Sequence, residues 1–213
     1  MPVAIEFVTQ ANPWVEVNDT LPLAVRVLDR AGDSIPGAPV SLVVIDTVSL
    51  GLDSAHNAVI GRDTATSARV VAVSGSLRSA PLSLRVPAGH ADSLAASGPA
   101  TLIVGAADSL SGSLTVRVLD LTTTPGAAAP LVGRFVRFAL VLPAYFSRDS
   151  ATAALGNDSL GQTMTTIAAG TAAATVKRRG SGQPDSVVVE ASVRRSSGAA
   201  IRGSPVRFVV RFP

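Results

Sequence analysis

The 213-residue chain is 47% hydrophobic and only 15% charged, with a formal net charge of +3. This composition excludes a disordered chain, which lacks enough apolar surface to offset the entropy lost on ordering. Aromatic residues make up 4% of the chain, so the core must consist of Val, Leu, Ile and Ala, which suits β-strands packed in thin layers. The chain has no cysteine, which excludes disulfide bonds.

The first half of the chain consists of short apolar stretches in which every second residue is apolar. Leu23, Val25 and Val27 share one face of such a stretch, and Arg26 lies on the other. A period of two predicts β-strands, and the Gly and Pro residues between the stretches predict turns. The predicted strands cover residues 3–8, 13–17, 21–29, 39–46, 57–61, 67–74 and 80–86.

The second half shows the same alternation. Leu114, Val116 and Val118 share one face, and Val206 and Phe208 begin a similar stretch near the end of the chain. No stretch sustains the apolar spacing of a helix. The predicted strands cover residues 93–96, 99–106, 112–120, 131–142, 162–168, 171–177, 185–194 and 204–212.

An internal repeat gives the domain organisation. The sequence Val-Arg-Val-Leu-Asp ends at Asp29 and again at Asp120, 91 residues later, and each copy is followed by a Gly/Pro-rich turn and another strand. A repeat of this length corresponds to one β-sandwich domain. The sequence therefore predicts an all-β protein of two tandem antiparallel sandwiches, 1–88 and 91–213, with an insertion near 143–161 in the second.

The repeat resembles bacterial immunoglobulin-like domains. Residues 52–61 and 68–86, in which a turn leads to a strand and then to a closing hairpin, look like the second half of a group 2 domain. Residues 25–40, in which a strand ends in Asp29 before a turn and a Pro-Val strand, are similar to the group 1, invasin and intimin type. The resemblance implies an immunoglobulin-like sandwich and a spacer or adhesive role on a bacterial surface protein. It supplies no functional residues to transfer.

The sequence predicts no catalytic residue, no cofactor and no metal site. A Ser-His-Asp triad needs a placed histidine, and the two histidines, His56 and His90, fall in a predicted turn and a predicted linker. Two isolated histidines without cysteine do not complete a zinc site. We interpret Asp29 as a turn-opening residue whose carboxylate accepts a backbone N–H.

Arginine is concentrated in the second half. Residues 1–90 hold six arginines and eight acidic residues, whereas residues 91–213 hold eleven arginines, one lysine and seven acidic residues. One hypothesis is an anionic-glycan surface on an exposed sheet face, and the other is an ordinary solvated surface in an arginine-rich chain. The residues assigned to the glycan surface are Arg134, Arg137, Arg207 and Arg211.

Two sequons are present. Asn18 in Asn-Asp-Thr is a candidate glycan acceptor, and Asn157 begins a second sequon. The alternative interpretation is a turn, in which Asn-Asp pairs are common.

We expect a non-enzymatic spacer or adhesive module of an exported bacterial protein, extracellular or on the cell surface after removal of an export signal. The expected partners are other modules of the same assembly or neighbouring copies. Nucleic acid is not expected, because aromatics for base stacking are scarce, and neither is membrane insertion. One alternative is a filament or sheath subunit in which Val3–Val8 or Val206–Phe212 adds a strand to a neighbour. The anionic-glycan module is the other.

Overall fold

The computed structural model describes residues 1–8, 13–105, 108–121, 128–143, 151–156, 159–179 and 185–212. Two compact units divide the chain. Unit 1 comprises Met1–His90 with Arg195–Ala199, and unit 2 comprises Ala91–Arg194 with Ala200–Pro213. Each unit has its own hydrophobic core, and the two cores share no residue.

Unit 1 is built from strands paired in small antiparallel sheets. One layer has the order β4-β7-β8, with β9 also paired to β7, and the other has the order β2-β6-β5, while β1 pairs with β3. The strands are β1 (Ala4–Phe7), β2 (Thr20–Pro22), β3 (Val25–Leu28), β4 (Ser41–Val44), β5 (Leu50–Asp53), β6 (Ala58–Gly61), β7 (Ala65–Ser74), β8 (Leu77–Arg78) and β9 (Leu82–Val86).

The core of unit 1 lies between these layers because alternate side chains of each strand point inwards. Val70 and Leu84 from one layer and Leu50 and Val59 from the other are at most 1% exposed. Burial of such residues is the main contribution to folding free energy in a sandwich of this kind. The core residues are Ile5, Val15, Leu23, Val27, Leu42, Leu50, Val59, Ala68, Val70, Ala72, Leu84 and Val86.

Unit 2 contains a five-stranded sheet of order β11-β20-β19-β14-β16, facing a sheet in which β12 pairs with β10, β13 and β17. Strands β15 and β18 form a separate pair. The strands are β10 (Ser93–Ala96), β11 (Thr101–Ile103), β12 (Leu114–Asp120), β13 (Ala129–Pro130), β14 (Phe135–Leu142), β15 (Ala153–Leu155), β16 (Gly161–Thr165), β17 (Thr171–Ala174), β18 (Val176–Arg178), β19 (Ser186–Ser192) and β20 (Val206–Arg211).

The predicted fold class, all-β with immunoglobulin-like antiparallel sandwiches, is confirmed. The predicted alternation also holds along β12 and β20, where Leu114, Val116, Phe208 and Val210 are fully buried. One pair of strands, β11 and β20, is parallel.

Several elements differ from the prediction. Strand β5 was not predicted, and neither was β15, a completely buried strand within the expected insertion near 143–161. Residues 144–150 and 157–158 of that insertion lie outside the described residues. The single strand predicted at 171–177 is two strands, because β17 pairs with β12 whereas β18 pairs with β15.

Candidate functional surfaces

Three arginines lie on the outer face of the five-stranded sheet of unit 2. Arg137 on β14 is paired with Ser192 on β19, and Arg207 on β20 is paired with Glu190 on β19. Arg211 lies four residues after Arg207 and therefore on the same side of β20. All three side chains are exposed. We call Arg137, Arg207 and Arg211 the arginine face.

The arginine face carries more positive than negative charge. Arg207 Nε donates a hydrogen bond to Glu190 Oε1 at 2.8 Å, and the Arg207 side chain is still 72% exposed. Arg137 is flanked by hydroxyl residues, since Thr163 of β16 pairs with it on the side opposite Ser192. The spacing of Arg207 and Arg211 along the strand is about 13 Å. This face presents separated cations on a flat sheet.

Arg134 does not belong to this face, and its assignment as an exposed glycan contact is wrong. The residue is 0% exposed. Its backbone N–H donates to Thr166 Oγ1 at 2.8 Å, and its carbonyl accepts from Thr166 N at 2.8 Å. An odd spacing of three residues places Arg134 and Arg137 on opposite sides of the chain. The alternation of side chains along a strand therefore excludes Arg134 from the face that carries Arg137.

Asn18 lies in a turn of unit 1. Its backbone has a φ of 63°, a left-handed conformation that asparagine adopts more readily than most residues. Its N–H donates to Gly61 O at 2.8 Å, and the residue is exposed. This geometry agrees with the turn interpretation, while glycan attachment at Asn18 stays a prediction. Asn157 lies outside the described residues.

The C-terminal segment Val206–Phe212 is not a free strand for addition to a neighbour. Strand β20, which makes up most of it, is paired on one side with β19 and on the other with β11. Along Val209–Arg211 both rows of its backbone groups are therefore in use, so the prediction of this segment as a free donor strand is wrong. At the other end of the chain, β3 is the one partner of β1 among the described strands.

The first segment of unit 2 runs parallel to its last strand. Leu94 N donates to Arg202 O at 2.9 Å, and Arg202 N donates to Asp92 O at 3.0 Å. Further along, Val209 N donates to Ala100 O at 2.8 Å, and Val104 N donates to Arg211 O at 2.9 Å. We call residues 92–104 and 202–211 the terminal strand pair.

Unit 1 has a shorter version of the same arrangement. Trp14 and Arg85 form a parallel bridge. Val15 N donates to Arg85 O at 2.9 Å, and Arg85 N donates to Pro13 O at 3.1 Å. In both units, a segment near the beginning is thus bonded in parallel to a strand near the end.

Titratable side chains form only small clusters in the part of the chain that the structure describes. His56 Nδ1 lies 2.8 Å from Asp53 Oδ2 at an exposed turn, and this contact lowers the pKa of Asp53. No group of three or more His, Cys, Asp or Glu residues is found within the described ranges. No helix in those ranges has the length and hydropathy of a membrane span.

Comparison with known proteins gives similarities of fold. The sequence matches no known protein-family profile and no curated protein. Similar solved structures include the Yersinia pseudotuberculosis adhesin InvE, with 17% identity, a TM-score of 0.43, and coverage of 98% of this chain and 58% of InvE. The D00-D0 domain of intimin is 15% identical, with a TM-score of 0.36 and coverage of 99% and 98%.

Domains 4–9 of the surface layer protein SbsC are 12% identical, with a TM-score of 0.36 and coverage of 100% of this chain and 32% of that one. The present chain thus spans little more than half of InvE and about a third of the SbsC structure. InvE and intimin are of the kind that the resemblance to the invasin and intimin type predicted. The likeness concerns the fold alone.

Proposed function

We propose that this chain is a non-enzymatic spacer module of an exported bacterial surface protein, and that its function is to transmit tension. The observation that supports this proposal is the terminal strand pair of unit 2. The proposal assigns no catalytic residue, cofactor or metal. Its partners are the other modules of the same assembly, and its location is extracellular or on the cell surface.

The direction of the terminal strand pair determines how it responds to force. Residues 92–104 and 202–211 run the same way, so pulling the two ends of unit 2 apart slides one segment along the other. The bonds between Leu94 and Arg202, and between Val104 and Arg211, are then loaded together. Antiparallel neighbours pulled apart at one end would instead lose their hydrogen bonds one at a time, each contributing about 1 kcal/mol.

Separate cores support the same proposal. The twelve core residues of unit 1 and those of unit 2 form distinct clusters. Each unit therefore contains the apolar contacts that its own sheets need. A chain of such modules lengthens under excess force in discrete steps, one for each core that opens.

Single-molecule stretching of the whole chain, attached at its two ends, tests this function. We expect two unfolding steps, of about 300 Å for residues 1–90 and about 400 Å for residues 91–213. Unit 2 should open at the higher force, because its parallel contact has four of the backbone bonds described above and that of unit 1 has two.

The matched control changes only the direction of loading. The chain has no cysteine, so handles attach specifically to a variant carrying Ser186→Cys and Arg211→Cys. These two residues face each other on β19 and β20, and pulling them apart peels the hairpin from one end. Unit 2 should then open at a clearly lower force than through its ends. Equal forces for the two directions would rule out the tension-transmitting role.

The arginine face supports a second candidate function, an anionic-glycan module. Among the residues that the structure describes, Arg137, Arg207 and Arg211 share one accessible face with one carboxylate, Glu190. Separated cations on a flat face suit an extended polyanion, and the attraction would weaken as salt increases. Binding of a sulfated polysaccharide that is unchanged between low and physiological salt would contradict this function.

A further inference from the structure

Strand β4 is an edge strand of unit 1. It pairs with β7 along its whole length, with Ser41 opposite Val73 and Val44 opposite Val70. Among the residues that the structure describes, no other strand pairs with it. An edge of this kind presents unpaired backbone groups to which another strand can bond.

The register shows which backbone groups are turned outwards. Ile45 N donates to Arg69 O at 2.9 Å, so Ile45, Val43 and Ser41 direct their N–H and C=O groups towards β7. Leu42 and Val44, which alternate with them, direct theirs the other way. The backbone of β7 shows the same alternation. Ala72, the partner of Leu42, directs its N–H away from β4 and donates it to Ser79 Oγ.

In unit 2, the strand that corresponds to β4 is β14, and another strand of the same chain pairs with its second edge. Strands β4 and β14 follow the two copies of the internal repeat, after Asp29 and Asp120. Strand β14 has β19 on one side and an antiparallel strand, β16, on the other, with Phe135 opposite Thr165 and Ala139 opposite Gly161. Unit 1 contributes no such strand to β4 within its described residues.

The side chains on the exposed face of this edge, Val43 of β4 and Ile45 just after it, favour association with an identical strand. Val43 is 43% exposed and Ile45 is 42% exposed. The twelve residues from Ser34 to Ile45 include no charged side chain, so a second copy of this edge meets no like charge. Natural edge strands usually carry a charge that prevents such pairing.

We propose that β4 pairs in antiparallel register with β4 of a second copy of this chain. In the pairing centred on Val43, the two Val43 residues face each other and Leu42 faces Val44 of the other copy. The outward-directed groups of Leu42 and Val44 then bond to each other, as the alternation requires. The sheet β9-β7-β4 continues across a twofold axis into the other copy, and the contact closes at a dimer.

The contact is small, so the association is weak. A pairing of about five residues buries less than the roughly 1,200 Å² typical of stable complexes. We expect a Kd between about 10 µM and 1 mM, which matters where copies are concentrated on one surface. This inference does not depend on the tension-transmitting role, since β4 lies outside the terminal strand pair.

Disulfide trapping tests the register. The Val43→Cys variant has a single thiol, and the two substituted positions of a dimer would lie about 4.5 Å apart at Cα, within the range that a disulfide spans. The control is Val132→Cys, since Val132 is 59% exposed and lies outside the strands. We expect Val43→Cys to form covalent dimers at least about ten times faster under mild oxidation. Equal rates would overturn the proposal.

Sedimentation equilibrium of the whole chain tests the association itself. We expect wild type to dimerise as its concentration rises to about 1 mM, and Val43→Lys to weaken the dimer at least about tenfold by placing two like charges opposite each other. Val132→Lys should dimerise like wild type. Circular dichroism checks that Val43→Lys is folded. A wild-type chain that stays monomeric at every concentration would overturn the proposal, even if some other partner binds to β4. A dimer that Val43→Lys does not weaken would overturn it too.

Discussion

Arg207 and Glu190 form an ion pair across two neighbouring strands, with Nε and Oε1 2.8 Å apart. The carboxylate offsets one of the three cations of the arginine face. We expect Glu190→Gln to raise the affinity for a sulfated polysaccharide by roughly two- to five-fold, the effect of removing one exposed charge contact. Retention on a heparin column, as a function of salt concentration, measures this change.

Unit 1 supplies a matched control for that substitution. Glu6 and Arg26 form a similar exposed pair on β1 and β3. Glu6→Gln changes the net charge by the same amount without altering the arginine face, so its retention should stay close to that of wild type. Equal shifts for the two variants would mean that retention follows net charge and that the arginine face is not a site.

Asp29 opens the turn that follows the first copy of the repeat. Its Oδ1 accepts from Ala31 N at 2.8 Å and from Asp33 N at 3.0 Å, as the sequence predicted for a turn-opening aspartate. We expect Asp29→Ala to reduce the free energy of unfolding by about 1 kcal/mol, measured by urea denaturation. Asp33→Ala, which leaves both bonds in place, is the control, and an equal loss there would contradict the role of Asp29.

Alternation in the sequence predicted the long strands and the direction of their side chains, because one buried face imposes a period of two. Val116 and Phe208 lie on the predicted apolar faces of β12 and β20, and both are completely buried. The assignment of Arg134 to the exposed face is wrong because Arg134 lies three residues from Arg137, and residues an odd number apart on a strand face opposite sides. The rule is reliable where a strand has one face in the core.

Strands β5 and β15 gave no such signal. Strand β5 contains Gly51, and β15 is mostly alanine, and both residue types have low β-propensity. Their pairing depends on contacts with distant strands. The terminal strand pair was invisible for a related reason, since bonds such as that from Val104 to Arg211 join residues more than 100 positions apart and leave no local pattern.

Gly61 lies where the chain passes too close for a side chain. A Cβ at this position would collide with the carbonyl oxygen of Glu16 and lie 3.2 Å from Val17 N. We expect Gly61→Ala to lower the free energy of unfolding by about 2 kcal/mol or more, measured by urea denaturation. Gly98→Ala, with no atom within 4 Å of its Cβ, should change it by less than about 0.5 kcal/mol. Equal effects would show that the close approach is unimportant.

Asp46 has a depressed pKa because both the side chain and the backbone N–H of Arg69 donate hydrogen bonds to its carboxylate. The side chain of Arg69 is the largest cause, with Nε 3.0 Å from Oδ2, and its backbone N–H, at 2.8 Å, is the next. A carboxyl whose pKa is lower in the folded state adds stability above its unfolded pKa of about 4, and that stability is lost as pH falls through the folded pKa.

We expect Arg69→Gln to raise the pKa of Asp46 towards its ordinary value, though not fully, because the backbone N–H remains. Carboxyl chemical shifts followed by NMR during an acid titration measure the change. Asp53 is the internal reference, since its pKa is lowered by His56 and should not move. An unchanged Asp46 pKa would mean that the Arg69 side chain does not hold the carboxylate in solution.

The terminal strand pair allows a test with two adjacent residues. Val104 N donates to Arg211 O at 2.9 Å, so Val104→Pro removes a bond that tension loads. Successive residues of a strand direct their N–H groups to opposite sides, so the N–H of Ile103 points away from β20, and Ile103→Pro removes no bond of the pair. In single-molecule stretching, Val104→Pro should lower the force at which unit 2 opens, and Ile103→Pro should leave it nearly unchanged. If both variants lowered the force equally, the resistance would arise from the sheet in general and not from the parallel contact between the first and last strands.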